Sequence, residues 1–406
     1  MTTRKQNLIV FFVFNAALFF FQLLTKKIYA PLVPHFQTSL DISSAQAGFL
    51  VTAATLGYGL ARFPSGILTD IIGCKKTIIS SGFFMGLTVI MVGLAPNYLS
   101  LAILTFIMGI STGLYITAGY TFTILVSKDN QEATFTAILE NFGGLAATVA
   151  PLTVVLFLDT LQLGWRGLFF SIGTIILVVN GLFIYMSYNN KIEDKDDLSF
   201  NWQLFKDESK EILQVFQNNK LVRFIMWATI VGGFGFFSIL AFQSFIPSLL
   251  VEKGYSFSRA NQLFTLVFVI GLFAKPAIGW LADKVGTKRI LFSILVLNFI
   301  FYFIFTAEVG QIGIFSSLII FGITFAGHNT LINSYVLRLF PDEYQGTGFG
   351  LFSTLYTAIY SLGPVVIGYF VDQFNLVIGM RVSVVAIIIA VPLLVSFNYF
   401  FPEFAK

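Results

Sequence analysis

The sequence predicts an all-α membrane protein with twelve transmembrane helices in two pseudo-symmetric six-helix bundles. Three observations lead to this prediction. Of the 406 residues, 56% are hydrophobic and 11% are charged, which is more apolar surface than water-soluble domains can bury. Apolar runs of about 20 residues, long enough to cross a bilayer as helices, recur from Leu8 to the C-terminal residues. The second half of the chain also repeats features of the first half.

Twelve apolar runs follow one another, separated by charged residues or by Pro, Gly and Asn. The candidate spans lie near residues 8–33, 46–69, 77–95, 99–122, 135–158, 166–187, 221–250, 260–282, 289–307, 312–338, 347–370 and 378–400. No small-residue cleavage site follows the first run, so we expect a retained span and no signal peptide.

Basic residues concentrate in the loops that lie on the same side as the N-terminus. The opposite loops keep only Arg166, Lys253, Arg259 and Arg381. This is the positive-inside pattern, so we expect both termini to be cytoplasmic in a plasma or inner membrane. The net charge of +4 follows from that pattern and indicates no nucleic-acid partner.

An internal repeat divides the chain at a constant offset, because Asp283 lies 213 residues after Asp70. The same offset relates Arg62 to Lys275, Gly66 to Gly279, Gly73 to Gly286, Lys75 to Lys288 and Lys76 to Arg289. We therefore expect an N-terminal bundle over 1–188, a cytoplasmic linker over 189–220 and a C-terminal bundle over 221–406.

The linker is charged and polar, but four apolar residues in it follow helical spacing: Trp202, Phe205, Ile212 and Phe216. This spacing favours a short amphipathic helix on the cytoplasmic surface. A merely solvated linker is the alternative.

The sequence predicts neither an enzyme nor a cofactor site. A single cysteine, Cys74, cannot form an internal disulfide and has no metal-ligand spacing. We find no catalytic triad, phosphate-binding loop or metal cluster, so we expect ion or solute gradients to supply the energy.

The repeated motif resembles that of a known family. "GILTDIIGCKK" and "GWLADKVGTKR" are similar to the loop motif of the major facilitator superfamily: Gly, any residue, Leu, any residue, Asp, two or three residues, Gly, then basic residues. The resemblance implies alternating access, in which two six-helix bundles rock about a cavity lined by spans 1, 4, 7 and 10.

We expect the motif residues to form gate elements at the cytoplasmic helix ends. Asp70 is placed to pair with basic loop residues or to face a helix N-terminus, and Gly66 to let another helix come close. Arg62 either snorkels to headgroups or flanks the inner mouth of the cavity with Lys275. The full set is Arg62, Gly66, Asp70, Gly73, Lys75, Lys76, Lys275, Gly279, Asp283, Gly286, Lys288 and Arg289.

The first span narrows the substrate class. "FFQLLTKKIYAPLVPHF" is similar to the first span of glycerol-3-phosphate and hexose-phosphate transporters, and "GYGLARFPSGILTD" resembles their second. The resemblance implies that Lys26 binds the substrate phosphate. The seventh span lacks their arginine, and Ile239 stands at the offset of Lys26. Because lysine is a point charge, a carboxylate fits at least as well as an organophosphate.

A polar stripe on the first span points to Lys26 independently. Asn15, Gln22, Lys26 and Tyr29 fall within about 60° of one another on a helix. Lipid cannot satisfy such a stripe, so it either lines the cavity or holds helices together.

Two further groups are candidates for proton coupling. His328 lies mid-span with Tyr335 on its face, and its repeat equivalent Tyr115 would add a hydroxyl to the substrate cavity. An intramembrane histidine either takes up a proton or is structural. Glu140 in the fifth span either carries protons or pairs with a cation such as Arg62.

Asp159 and Asp372 fall at outer helix ends, where we expect them only to terminate helices.

These features predict a monomeric secondary transporter of a small organic anion, with protons or an exchanged anion as partners besides membrane lipid. One alternative is proton-coupled efflux of amphipathic or cationic compounds. The other is a ligand sensor or lipid handler of the same fold that moves no solute.

Overall fold

A computed structural model describes residues 2–127, 131–189, 217–307, 310–340 and 345–400. Helices dominate these ranges, which contain no strand. The helices are α1 Thr2–Lys27, α2 Tyr29–Leu40, α3 Ser44–Ile72, α4 Cys74–Gly93, α5 Tyr98–Val126, α6 Glu132–Val155, α7 Gly164–Asn189, α8 Asn219–Glu252, α9 Phe257–Val285, α10 Thr287–Thr306, α11 Gln311–Leu339, α12 Gln345–Ser361, α13 Gly363–Gln373, α14 Leu376–Val382, α15 Val384–Val395 and α16 Phe397–Phe400. A π-helical turn, Leu156–Thr160, extends α6.

Eleven helical segments in the described ranges are long and apolar enough to cross a bilayer. The remaining expected span is α3, which is equally long at 29 residues but is diluted by glycines, threonines and Arg62. Together they account for the twelve expected spans. The linker helix proposed around Trp202, Phe205, Ile212 and Phe216 lies outside the described residues.

The first expected span is interrupted between α1 and α2. Pro31 has no N–H for the carbonyl of Lys27 and its ring collides with that carbonyl, so α1 ends at Lys27 and α2 starts at Tyr29. The polar stripe expected along one continuous helix therefore loses Tyr29, which lies beyond the break.

The described residues of Met1–Ile28 and Ala53–Lys210 form one compact unit, and those of Tyr29–Thr52 and Glu211–Lys406 form a second. The expected division into two bundles, over 1–188 and 221–406, rests on the sequence repeat and stays a prediction. The packing units differ from it at 29–52, which packs with the second unit. Helix α3 is consequently shared between the two units.

Close backbone contact between α3 and α5 organises the first unit. A Cβ added at Gly109 would lie 2.5 Å from the carbonyl oxygen of Ala54. The repeat reproduces this contact between α9 and α11, where a Cβ at Gly322 would lie 2.7 Å from the carbonyl oxygen of Val267. All four positions are related by the 213-residue offset, so the two units share one packing scheme.

The close helix approach expected at Gly66 is wrong for this structure. No atom of the described chain lies within 4 Å of a Cβ built at Gly66, nor at Gly279. The close approach occurs instead at Gly57 and Gly109, nearer the middle of the helices.

We expect Gly109→Ala to destabilise the protein by about 1–3 kcal/mol, because the methyl group meets rigid backbone. Gly66→Ala is the matched control, since its methyl group enters open space. Thermal unfolding of the purified protein measures both changes. Equal melting temperatures for the two variants would contradict the packing described for α3 and α5.

Candidate functional site

The polar stripe of α1 begins in a closed hydrogen-bond network with α5. The Asn15 amide nitrogen donates to the carbonyl of Gly119 and the hydroxyl of Thr123, both at 2.9 Å. The Tyr115 hydroxyl lies 2.6 Å from Asn15 Oδ1 and 2.7 Å from the Asn15 carbonyl oxygen. Both side chains are fully buried. These contacts favour helix packing, not substrate contact, as the role of Asn15 and Tyr115.

Gln22 differs from Asn15, although it lies two turns farther along the same helix. Its side chain is fully buried, and neither its amide nitrogen nor its amide oxygen has a hydrogen-bond partner within the described ranges. An unsatisfied buried amide costs about 1–3 kcal/mol, so this position is suited to a polar ligand or a bound water.

Lys26 lies one turn beyond Gln22 and contacts α3. Its ammonium nitrogen is 3.6 Å from the centroid of the Tyr58 ring, a cation–π geometry. The guanidinium carbon of Arg62 lies 5.8 Å from the same centroid. One buried aromatic ring thus brings together a lysine from α1 and an arginine from α3. We call Lys26, Tyr58 and Arg62 the cation cluster.

The position of the cation cluster is set by the contact of α3 with α5. The Ser65 hydroxyl donates to the carbonyl of Leu114 at 2.7 Å and accepts from the N–H of Thr117 at 3.3 Å. Gly113 packs directly on the Tyr58 carbonyl. These contacts with α5 therefore fix the position of the part of α3 that carries Tyr58 and Arg62.

No described carboxylate lies within ion-pair distance of either cation in the cluster. The charged groups that act on Lys26 are Lys27 and Arg62, both positive. Lys26 is half-buried, and its ammonium group lies against the Tyr58 ring. Such a site attracts an anion.

Glu140 projects from α6 and accepts a hydrogen bond from the Tyr120 hydroxyl of α5. The Tyr120 ring in turn contacts Phe19 of α1, with centroids 5.6 Å apart. Glu140 is exposed on the surface of the described chain.

His328 is buried in the second unit. Its ring lies 5.7 Å from that of Phe236, and the absence of a side chain at Gly235 makes room for it. One turn away, the Thr324 hydroxyl donates to Asn298 at 2.7 Å. His328 Nδ1 has no hydrogen-bond partner within the described ranges. Only 1% of its surface is exposed, so His328 is less accessible than Glu140.

Two other expected cavity residues, Tyr335 and Tyr29, pack against aromatic rings. Tyr335 is half-buried, with its ring 5.9 Å from that of Phe397. Tyr29 is fully buried and packs on Phe36 at 6.3 Å.

The motif glycines shape the turns between α3 and α4 and between α9 and α10. Gly73 has φ +85° and Gly286 has φ +104°, a conformation that other residues adopt only with strain. The motif lysines follow: Lys75 donates to the Ser187 carbonyl at 3.4 Å, and Lys288 to the Val395 carbonyl at 3.2 Å. Each neutralises the negative C-terminal end of a helix in its own unit.

The motif aspartates behave differently in the two units. Asp283 pairs with Arg338 at 3.5 Å, which is the kind of contact that we expected of Asp70. Asp70 is exposed and has no hydrogen bond or ion pair within the described ranges. Lys76, Lys275 and Arg289 are exposed as well.

Sequence reasoning missed Tyr58, Tyr120 and Asp372. Tyr58 stands four residues before Arg62, which puts both on one face of α3, and this signal was available. Tyr120 could not be matched to Glu140, because the pairing depends on how α5 and α6 pack. Asp372 does more than terminate its helix, because it accepts hydrogen bonds from α3.

Residues 16–364 match the family model described as "Major Facilitator Superfamily". The chain belongs to the major facilitator superfamily. It is 25% identical over 373 residues to the sialic acid transporter NanX of Escherichia coli (strain K12), covering 89% of this chain and 87% of that protein. It is 22% identical over 382 residues to the glycerol-3-phosphate transporter of Bacillus subtilis (strain 168), covering 87% and 83%.

Its fold is similar to that of a bacterial homologue of the human lysosomal transporter Spinster, solved in an inward-facing, unoccupied conformation. The TM-score is 0.78 at 15% identity, with 98% of each chain covered. The expected fold class is thereby confirmed, and this protein is a multi-pass transporter of the secondary kind.

Within the described ranges, no group of three or more His, Cys, Asp or Glu side chains could hold a metal ion.

We expect Tyr115→Phe to destabilise the protein by about 1–3 kcal/mol, because the Asn15 oxygen atoms stay buried without their donor. Tyr369→Phe is the control, since that side chain is 55% exposed. Chemical or thermal unfolding measures both variants. An unchanged Tyr115→Phe melting temperature would contradict a structural role for the network.

Proposed function

We propose that this transporter carries a small organic anion and that the cation cluster binds its charged group. The observation that supports the proposal is the presence of Lys26 and Arg62 at one buried ring without a carboxylate from the described chain. Ionised groups in membrane segments are costly and mark substrate paths. Two neighbouring cations also repel each other, and a bound anion removes both costs.

A carboxylate fits the cluster at least as well as an organophosphate. The cluster offers a single arginine, Arg62, beside a lysine, which is a point charge and not a bidentate fork, and the repeat equivalent of Lys26 is the fully buried Ile239. Among the relatives, NanX is named for sialic acid, which is a carboxylate. The amide of Gln22, one turn from Lys26, is suited to bind a hydroxyl or carbonyl group of the same substrate.

We propose protons as the driving ion, with Glu140 as the site that binds them. Glu140 lies within a membrane span, is exposed, and shares a hydrogen bond with Tyr120. Tyr120 contacts Phe19, which lies on the same helix as Lys26. His328 is the weaker candidate because its ring is enclosed. A monomeric state and cytoplasmic termini stay predictions from the sequence.

The two rival functions differ in what the protein would bind and move. Efflux of cationic compounds would require a site that attracts cations, which the cation cluster does not offer. A sensor would bind the anion without moving it. Purified protein in liposomes separates these cases: anion flux supports transport, and binding without flux supports the sensor.

We expect Lys26→Met to weaken anion binding about tenfold or more, because a hydrogen bond to a charged group is worth about 1.5–3 kcal/mol. Thermal-shift titrations with sugar acids, small carboxylates, sugar phosphates and inorganic phosphate measure this change. Lys284→Met removes the same charge in the second unit and leaves binding unaltered. If the shift produced by the best anion survives Lys26→Met, the site assignment is wrong.

We expect Glu140→Gln to abolish accumulation driven by a proton gradient while anion exchange across the liposome membrane continues. The amide cannot bind and release the coupling proton, but the anion site stays intact. Glu132→Gln, an exposed position in the first turn of the same helix, keeps both activities. Proton-driven accumulation by Glu140→Gln at the wild-type level would exclude Glu140 as the coupling site.

A further inference from the structure

Two asparagines, Asn329 and Asn333, lie one turn apart on α11 in the second unit. Both fall within a membrane span, yet Asn329 is exposed on the described chain and Asn333 is half-buried. Hydrocarbon cannot satisfy an exposed amide, so Asn329 is suited to face water or a ligand. We call Asn329 and Asn333 the amide pair.

Hydrogen bonds fix the orientation of both amides. A main-chain carbonyl only accepts, so the Asn333 atom that lies 2.7 Å from the Asn329 carbonyl oxygen is the side-chain nitrogen. The same nitrogen donates to Asn329 Oδ1 at 3.2 Å. The Tyr356 hydroxyl donates to that Oδ1 as well, at 3.1 Å. Asn329 Oδ1 therefore accepts two hydrogen bonds and has no lone pair left for a ligand.

These bonds leave one donor and one acceptor of the amide pair unused. Asn329 Nδ2 donates to no group within the described ranges, and Asn333 Oδ1 is buried there without a partner. A buried acceptor without a donor costs free energy, which a ligand that donates to it removes. Because residues four apart share one helix face, a single ligand can meet both atoms.

Aromatic packing holds Tyr356, which orients Asn329. The Tyr356 side chain is 1% exposed, and its ring stacks on that of Phe352 with centroids 5.4 Å apart. The rings of Tyr360 and Phe236 lie 4.8 and 6.1 Å from it. A densely packed ring keeps its position, so the free Asn329 nitrogen is already directed before a ligand arrives. Tyr356 is thus a positioning residue.

The free donor and the free acceptor select the chemistry of the ligand group. An ionised carboxylate only accepts and an ammonium group only donates, so each would leave one of the two atoms without a partner. A hydroxyl group does both. The amide pair is uncharged, and neither member has a charged partner within the described ranges. Its chemistry therefore complements neutral hydroxyl groups.

We propose that the amide pair is a subsite for hydroxyl groups, and that the transported anion is accordingly a hydroxylated one. This inference rests on the proposed function, which supplies the charged group of the same substrate. A site built to hydrogen-bond a hydroxyl group rejects analogues that lack it, because its own polar atoms are then left unpaired. Plain carboxylates are therefore poor ligands, although they carry the charge.

Three probes with the same carbon skeleton test the subsite in thermal-shift titrations of the full chain. Glycerate carries a carboxylate and hydroxyl groups, propionate carries only the carboxylate, and glycerol carries only hydroxyl groups. The ratio of the glycerate and propionate affinities reports on the hydroxyl groups alone. Lys26→Met lowers both affinities and keeps their ratio, so a failure of the anion-site assignment is seen separately.

We expect the wild type to bind glycerate about tenfold more tightly than propionate, because two hydrogen bonds are added. Asn329→Ala removes the donor and Asn333→Leu removes the acceptor, and each is expected to lower the ratio about threefold or more. Tyr356→Phe lowers it less, because the amide stays but loses its orientation. Thr330→Val is the matched control, since the Thr330 hydroxyl already donates to the Ala326 carbonyl at 3.0 Å.

Equal affinities for glycerate and propionate in the wild type would overturn the subsite. A ratio that Asn329→Ala leaves at the level of Thr330→Val would overturn it as well, and Asn333→Leu decides in the same way if Asn329→Ala fails to fold. Should neither anion shift the melting temperature, which counts against the proposed function, glycerol decides. A glycerol shift that Asn329→Ala weakens and Thr330→Val keeps supports the subsite, and equal shifts overturn it.

Discussion

The interior of a bilayer offers no hydrogen bonds, and this constraint makes polar side chains in the spans pair with one another. Asn15 and Tyr115 satisfy each other between α1 and α5, and Thr324 donates to Asn298 between α11 and α10. Lys26 and Arg62 carry full charges, and they approach Tyr58 with no described carboxylate to balance them. Membrane proteins keep ionised groups where they act, which is why these cations dominate the interpretation.

The duplicated motif has a structural role that is independent of gating. Gly73 and Gly286 make tight turns possible, and Lys75 and Lys288 each bind a carbonyl near the end of a helix in their own unit. These tasks are the same in both units. The aspartates differ, since Asp283 has Arg338 within reach, whereas Leu125 stands at the equivalent position in the first unit. The two units therefore share the turns and the lysine contacts of the motif and differ in the partner of the aspartate.

The helical fold and its repeat could be predicted from the sequence, because span length and the 213-residue offset are local or periodic signals. Lys26 could be found because an intramembrane cation is rare. Helical periodicity places Asn15 and Gln22 on one face and does not distinguish their roles. Only the packing of the helices shows that Asn15 bonds to Tyr115, whereas Gln22 has no described hydrogen-bond partner. The roles of Tyr120 and Asp372 depend on contacts between distant helices, and no spacing rule encodes such contacts.

Helix α3 carries Ser44 at its capped end and Arg62 at the cation cluster. Eighteen residues separate them, roughly 27 Å along a helix. The first N–H groups of the helix are bound by the Asp372 carboxylate, so the positive end of the helix dipole is already balanced. Arg62 has no described carboxylate within ion-pair distance. An anion that approaches α3 is therefore attracted to Arg62 and not to the N-terminus of the helix.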